Sequence, residues 1–131
     1  MPDAEAILRL DNVSVSAGAR PLLRGVTLAV PEGGVFGLIG PSGVGKSTLL
    51  KCCNRLIDLT PGLRVDGRIS FRGQPVLGPG VDVNALRARV GILFQQPAVF
   101  PRSIVANVLF GVRHTGSLPR RELPAVAERA L

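Results

Sequence analysis

Apolar residues occur in short runs cut by 16 glycines and 11 prolines over 131 residues, a pattern of many short elements. Leu8, Leu10, Val13 and Val15 predict a first strand whose two-residue alternation slips at Asp11-Asn12, shifting face there. Val26, Leu28 and Val30 alternate cleanly up to the turn Pro31-Glu-Gly-Gly34 and predict a second half-buried strand. Val35-Phe-Gly-Leu-Ile39 is apolar without alternation, the mark of a central strand covered on both faces. Leu49, Cys53 and Leu56 then recur at helical spacing over 48–56, until Asp58 and Thr60-Pro-Gly62 end the pattern. Arg68-Ile-Ser-Phe-Arg72 and a turn at Gly73-Gln-Pro75 predict another antiparallel element. Val83, Leu86, Arg87 and Val90 predict a short helix begun by Asp82, and Val90-Gly-Ile-Leu-Phe94 a second buried strand. Ser103 is placed to cap a helix over Ile104 to Phe110, and Leu123, Val126, Ala127 and Ala130 mark a last helix still running at the final residue. Strand, glycine turn and helix in that order predict an α/β chain of one domain, or part of one.

The turn between the central strand and its helix carries the chemistry. Gly40-Pro-Ser-Gly-Val-Gly-Lys-Ser-Thr48 matches G-x-x-x-x-G-K-[ST] through Gly40, Gly45, Lys46 and Ser47. Glycines allow successive N–H groups to turn inward around phosphate oxygens, where side chains would block the approach. The helix that follows adds the positive end of its dipole, Lys46 can reach β- and γ-phosphates, and the Ser47 hydroxyl can ligate Mg²⁺. Pro41, Ser42, Gly43, Val44 and Thr48 complete the loop. A chance match somewhere in such a chain is on the order of a few in a thousand, and strand before and helix after reduce it further. The expected ligand is a magnesium-bound nucleoside triphosphate, ATP above all.

Composition narrows the setting. The chain has no apolar run near the roughly 18 residues of a membrane-spanning helix. Met1-Pro-Asp-Ala-Glu-Ala6 has neither the basic start nor the apolar stretch of a secretory signal, so the cytoplasm is the expected location. A net charge of +7 invites a nucleic-acid partner, but the arginines are scattered from Arg9 to Arg129 with no Trp or Tyr between them, which argues against one. Lys46 is one of two lysines beside fourteen arginines, at the position that calls for a compact point charge. Cys52 and Cys53, adjacent and without His or further Cys, suit buried thiols better than a disulfide or a zinc site.

Ser42-Gly-Val-Gly-Lys-Ser-Thr48, preceded by Val26-Thr-Leu-Ala-Val-Pro-Glu-Gly33 and followed by Arg89-Val-Gly-Ile-Leu-Phe-Gln95, resembles the ATP-binding subunit of ABC transporters. The stretches from Gly80 to Gly91 and from Phe94 to Ile104, with Asn107-Val, Gly111, Asn54-Arg-Leu-Ile-Asp-Leu59 and Val65-Asp-Gly-Arg68, resemble its phosphate-importer branch. The resemblance runs along nearly the whole chain but over only the first half of such a subunit. It implies a P-loop NTPase core with an N-terminal antiparallel β-subdomain, ending at the start of a helical subdomain. In that scheme 1–34 and 63–78 are antiparallel β elements, 35–60 the phosphate-loop strand, loop and helix, 82–102 a helix, a strand and the Q-loop, and 103–131 the start of the helical part. Gln95 becomes the Q-loop glutamine, reaching Mg²⁺ and the γ-phosphate region, and 96–107 faces a helix of the membrane partner. Membrane-spanning permease subunits and a second ATP-binding subunit are the implied partners, at the cytoplasmic face of the membrane. No residue here would touch the solute, so another solute stays open. A small P-loop kinase or GTPase is disfavoured, since none of their base-recognition or lid signals is present.

Several family features have no counterpart in these residues. A carboxylate ending a second apolar strand, an acid beside it, the L-S-G-G-Q-like signature and the switch histidine are not found, so binding of Mg-ATP without hydrolysis is the alternative reading. Asp66 and Asp82 read as turn and cap residues, Phe94 and Phe100 as core and local packing, and His114 as a surface loop residue without a catalytic role. Missing cover over the two apolar strands predicts marginal stability or aggregation. At the family's adenine-stacking position stands Ala17, which implies weak discrimination among purine nucleotides. Restoring a ring with Ala17→Tyr should tighten Mg-ATP binding about tenfold to a hundredfold in an equilibrium titration, the worth of one stacked base. An unchanged affinity would remove that explanation.

Overall fold

The computed structural model describes residues 6–116 and 118–131, in two units, one ending at Ile92 and the other running from Leu93 to Leu131. The first five residues of the segment read as lacking a signal, and Ser117, lie outside the described residues.

The first unit is built on a wholly antiparallel four-stranded sheet in the order β2-β1-β3-β4, with β1 at Ala6–Ala17, β2 at Arg20–Pro31, β3 at Leu63–Phe71 and β4 at Gln74–Pro75. The slip of face expected at Asp11-Asn12 is a β-bulge. Pairing runs Leu10 to Leu28 and then Val13 to Val26 on one side, Asp11 to Arg68 and then Ser14 to Asp66 on the other, so β1 holds one extra residue against both neighbours. Asn12 takes a left-handed φ of 51°, and its N–H donates to Thr27 Oγ1 at 2.9 Å. The bulge puts Leu10, Val13 and Val15 on one face, all but completely buried. On that face lie α1 (Lys46–Cys53), a 3₁₀ turn at Leu56–Leu59 and α2 (Val83–Arg89), whose Leu49, Cys52, Cys53, Ile57 and Leu86 share a core with Ile69 and Val76. The chain breaks from α1 where Arg55 adopts φ 60°, so Leu56 falls in the 3₁₀ turn rather than on the helix, and Ile57 supplies the buried contact instead. Asp82 caps α2 as expected, its carboxylate accepting from the N–H groups of Asn84 and Ala85 at 3.0 Å.

The second unit carries α3 (Ile104–Val108), α4 (Phe110–Thr115) and α5 (Leu123–Ala130). Ser103 accepts from Ala106 N, but the helix expected over Ile104 to Phe110 is divided at Leu109, which is buried with Leu123 and Ala127. No helix among the described residues is long and apolar enough to cross a membrane.

Two expected strands do not form. Val35 to Ile39 is extended but unpaired, with Val35 and Ile39 almost fully exposed, and Gly91 to Phe94 is likewise unpaired beyond Val90, which ends α2. A strand is stabilised by a ladder partner, and among the described residues neither run has one. Asp66 is no turn residue: it sits within β3, ion-paired with Arg64 at 2.9 Å, because the strand begins at Leu63, ahead of it. The turn after β3 is Arg72-Gly73, so Gln74 and Pro75 pair as β4. His114 lies on α4, not in a loop, its ring stacked on Phe110 at 5.6 Å. Phe94 and Phe100 are both partly exposed rather than core; Phe100 packs locally, 4.2 Å from the ring of Phe110.

Gly67 lies opposite the bulge at φ 105°, where a Cβ would come within 2.5 Å of Asn12 O and 2.8 Å of Val13 Cα. Both contacts are backbone, so neither can give way. Gly67→Ala should lose about 2 to 4 kcal/mol in chemical denaturation, strain and clash together. Gly18→Ala, at φ 57° with nothing within 4 Å, should lose about 1 kcal/mol. Equal losses would show that the bulge does not depend on the missing side chain.

Candidate functional site

The loop from Gly40 to Thr48 joins the unpaired run Val35 to Ile39 to the start of α1. Three of its glycines have positive φ: Gly40 at 157°, Gly43 at 78° and Gly45 at 104°. Gly45 is needed for space as well, since a Cβ there would meet Leu23 Cδ2 at 2.5 Å. Leu23 on β2 therefore fixes how closely the loop lies on the sheet. Lys46, the first residue of α1, folds back across the loop, and its Nζ donates to Gly40 O at 2.7 Å and Pro41 O at 2.6 Å. Gly40, Pro41, Gly45 and Lys46 are thus drawn into one closed turn, with Ser42, Gly43 and Val44 exposed at its outside.

The electrostatics of this turn favour an anion. The first intrahelical bond runs from Leu49 N to Gly45 O at 2.9 Å, so the N–H groups of Lys46, Ser47 and Thr48 have no acceptor within the helix. No side chain caps the helix and its first turn has no acidic residue. Lys46 forms no ion pair among the described residues and keeps a third ammonium hydrogen beyond the two given to the loop. Free helix N–H groups, permissive glycines and an unneutralised cation are what a phosphate group requires. For Mg²⁺ the donor set is sparse. The exposed Ser47 hydroxyl stands at the helix start, and no group of three His, Cys, Asp or Glu among the described residues could hold a metal. That suits an ion carried mainly by phosphate oxygens and water. Gln95 belongs to the second unit, exposed at a bend shortly before Pro97, and is described there by itself.

A family model described as ABC transporter matches residues 23–130. The chain belongs to the ABC transporter family. This ABC-family chain is 42% identical over 129 residues to "Phosphate import ATP-binding protein PstB 3" of Synechocystis sp., covering 98% of itself and 48% of that protein. It is 42% identical over 131 residues to "Phosphate import ATP-binding protein PstB 1" of Vibrio vulnificus, covering all of itself and 48% of the relative. Among solved structures, cbiO1 from Clostridium perfringens, part of the ABC transporter complex cbiONQ, matches with a TM-score of 0.74 at 30% identity over 92% of this chain and 47% of that one. The chain spans about half the length of the curated relatives it matches. Its bulged antiparallel sheet and glycine loop correspond to the N-terminal region of an ABC ATPase, a family that binds ATP with Mg²⁺.

Two residues that periodicity passed over matter for the loop of this ABC chain. Leu23 sets the height of Gly45, and Asn54, buried at 3% exposure, lies at the end of α1. An asparagine at the end of an apolar helix is the only sequence sign of the second, and Leu23 carries no sign beyond being apolar. The cysteines anchor the buried side of the same helix as free thiols, Cys52 donating to Thr48 O at 3.2 Å and Cys53 to Leu49 O at 3.3 Å. Burial pushes Cys52 up from 9.0 to about 12, helped by the charges of Cys53 and Asp58. Burial also raises Cys53 to about 11, against a backbone hydrogen bond that lowers it. Both thiols are therefore neutral in the folded chain, and their contribution to stability, complete below about pH 9, is lost as pH rises through 11 and 12. Alkylation by iodoacetamide near pH 8 should be about 100-fold slower in the native chain than in denaturant. Equal rates would mean that α1 does not stay packed.

Proposed function

We propose that this chain is the nucleotide-binding portion of an ATPase subunit that energises import of inorganic phosphate, and that the turn Gly40 to Thr48 is its Mg-ATP site. The observation that carries the reading is Lys46 closing the loop onto Gly40 and Pro41 at an uncapped helix start. In this reading the backbone of Gly40, Pro41, Ser42, Gly43, Val44 and Gly45 wraps the phosphates, with the N–H groups of Lys46, Ser47 and Thr48 donating to them. Lys46 Nζ neutralises β- and γ-oxygens, while Ser47 and Gln95 contribute oxygens to Mg²⁺. When bound, the ion neutralises phosphate charge and orients the terminal group. Phosphate as the solute follows from the names of the relatives. The family relationship supports permease subunits and a second ATP-binding subunit as partners, at the cytoplasmic face of the membrane. The segment 103–131 is the beginning of the helical subdomain.

A reading of binding without hydrolysis by this chain alone has a specific observation in its favour. Among the described residues, four carboxylates of the first unit are engaged elsewhere: Glu32 with Arg72 at 2.6 Å, Asp58 with Arg55 at 2.8 Å, Asp66 with Arg64 at 2.9 Å, and Asp82 with the start of α2. Glu128 lies on α5 of the second unit. None of the four named carboxylates of the first unit is free to serve as a base for water.

Lys46→Ala removes a charge-assisted contact to phosphate worth about 1.5 to 3 kcal/mol, so Mg-ATP affinity should fall about tenfold to a hundredfold in calorimetric titration. Phosphate release should be the same for the chain and for Lys46→Ala. Equal affinities would overturn the assigned site; turnover abolished by the substitution would overturn binding without hydrolysis.

A further inference from the structure

The far end of α1 holds a set of contacts that nucleotide binding does not use. Arg87 on α2 donates from Nε to Asn54 O at 3.2 Å and from Nη2 to Arg55 O at 2.8 Å. A single guanidinium thus reaches two successive carbonyls at the helix end, where a cation meets the negative end of the dipole, and the second of them also accepts from Asp58 N at 3.2 Å. Asn54 is the one buried polar side chain among the described residues of the core, and it works in both directions. Its Oδ1 accepts from Leu56 N at 3.2 Å, holding the left-handed step at Arg55, and its Nδ2 donates to Val90 O at 3.4 Å. Val90 N in turn donates to Leu86 O at 2.9 Å. Both backbone groups of Val90 are held, so the unpaired segment that continues toward Gln95 starts from a fixed point.

We propose that Asn54 and Arg87 are positioning residues that tie the helix carrying the phosphate loop to the start of the segment leading to Gln95, so that occupation of the loop is felt at 91–95. The inference rests on the Mg-ATP reading of that loop. The geometry suits the task because α1 is only eight residues long and packed along its length, so a displacement at Lys46 reaches Asn54 with little loss. Arg87 is partly buried and its planar fork fits two adjacent carbonyls. A lysine offers a single flexible point of contact in place of that rigid fork.

Hydrogen exchange with and without saturating Mg-ATP, on the chain and on Arg87→Ala and Arg87→Lys, separates the possibilities. In the unaltered chain nucleotide should slow exchange at 43–48 and, more weakly, at 91–95. Arg87→Ala should keep the first effect and reduce the second at least threefold, with Arg87→Lys between the two. Protection at 91–95 that is undiminished in both variants overturns the link while leaving the nucleotide site standing. Absence of protection at 43–48 in the unaltered chain overturns the nucleotide reading and the link together. Should Arg87→Ala fail to fold, Arg87→Lys alone decides: undiminished protection at 91–95 refutes the link, and a partial loss supports it.

Discussion

One extra residue in β1 makes the rest of the first unit possible. Strict alternation would send Leu10 and Val13 to opposite faces; the bulge at Asn12 returns them to the same one, beside Val15. Burial of each such side chain is worth about 1.5 to 3 kcal/mol, more than the roughly 1 to 2 kcal/mol that a left-handed Asn costs. The balance therefore favours the bulge. Gly67 completes it by bringing β3 closer than any side chain would allow, and on β2 the glycine at 25 restores the register, with its N–H bonded to Ser14 Oγ at 2.9 Å.

The continuous apolar face is what gives α1 a place to lie. Eight residues are too few for a helix to stand alone in water, so Leu49, Cys52 and Cys53 hold it by packing. With the helix fixed, its two ends do different electrostatic work. The N-terminal end offers unbonded N–H groups and Lys46, with no carboxylate to quench them. The C-terminal end is satisfied by Arg87 and leads, through Asn54, to Val90. A buried, neutral pair of thiols suits this arrangement, because an ionised sulfur in the same core would cost burial and repel Asp58.

Val35 to Ile39 and Gly91 to Phe94 stand apart from this economy. Each is apolar enough for a strand buried on both faces, and each is exposed and without a ladder partner among the described residues. The antiparallel sheet meets its own needs through neighbours close in sequence, β1 with β2 across a tight turn. A parallel central strand has no such local recourse. Relatives about twice as long contain further chain. Exposed apolar backbone of this kind is also where association between copies would begin.

Local chemistry was legible without coordinates. The glycine spacing announced a tight turn leading into α1, the slip at Asp11-Asn12 announced a change of face, and Asp82 and Ser103 announced helix starts, because each depends only on residues a few positions apart. What depends on distant partners was not legible. Whether Val35 to Ile39 pairs, how far α1 runs before Arg55 turns it, that Asp66 lies within a strand beside Arg64, and that Arg87 closes the end of α1 were decided by neighbours brought from elsewhere in the chain. Periodicity reports which face of an element is apolar; only packing determines what that face meets, and a strand in particular exists only when another backbone supplies its hydrogen bonds.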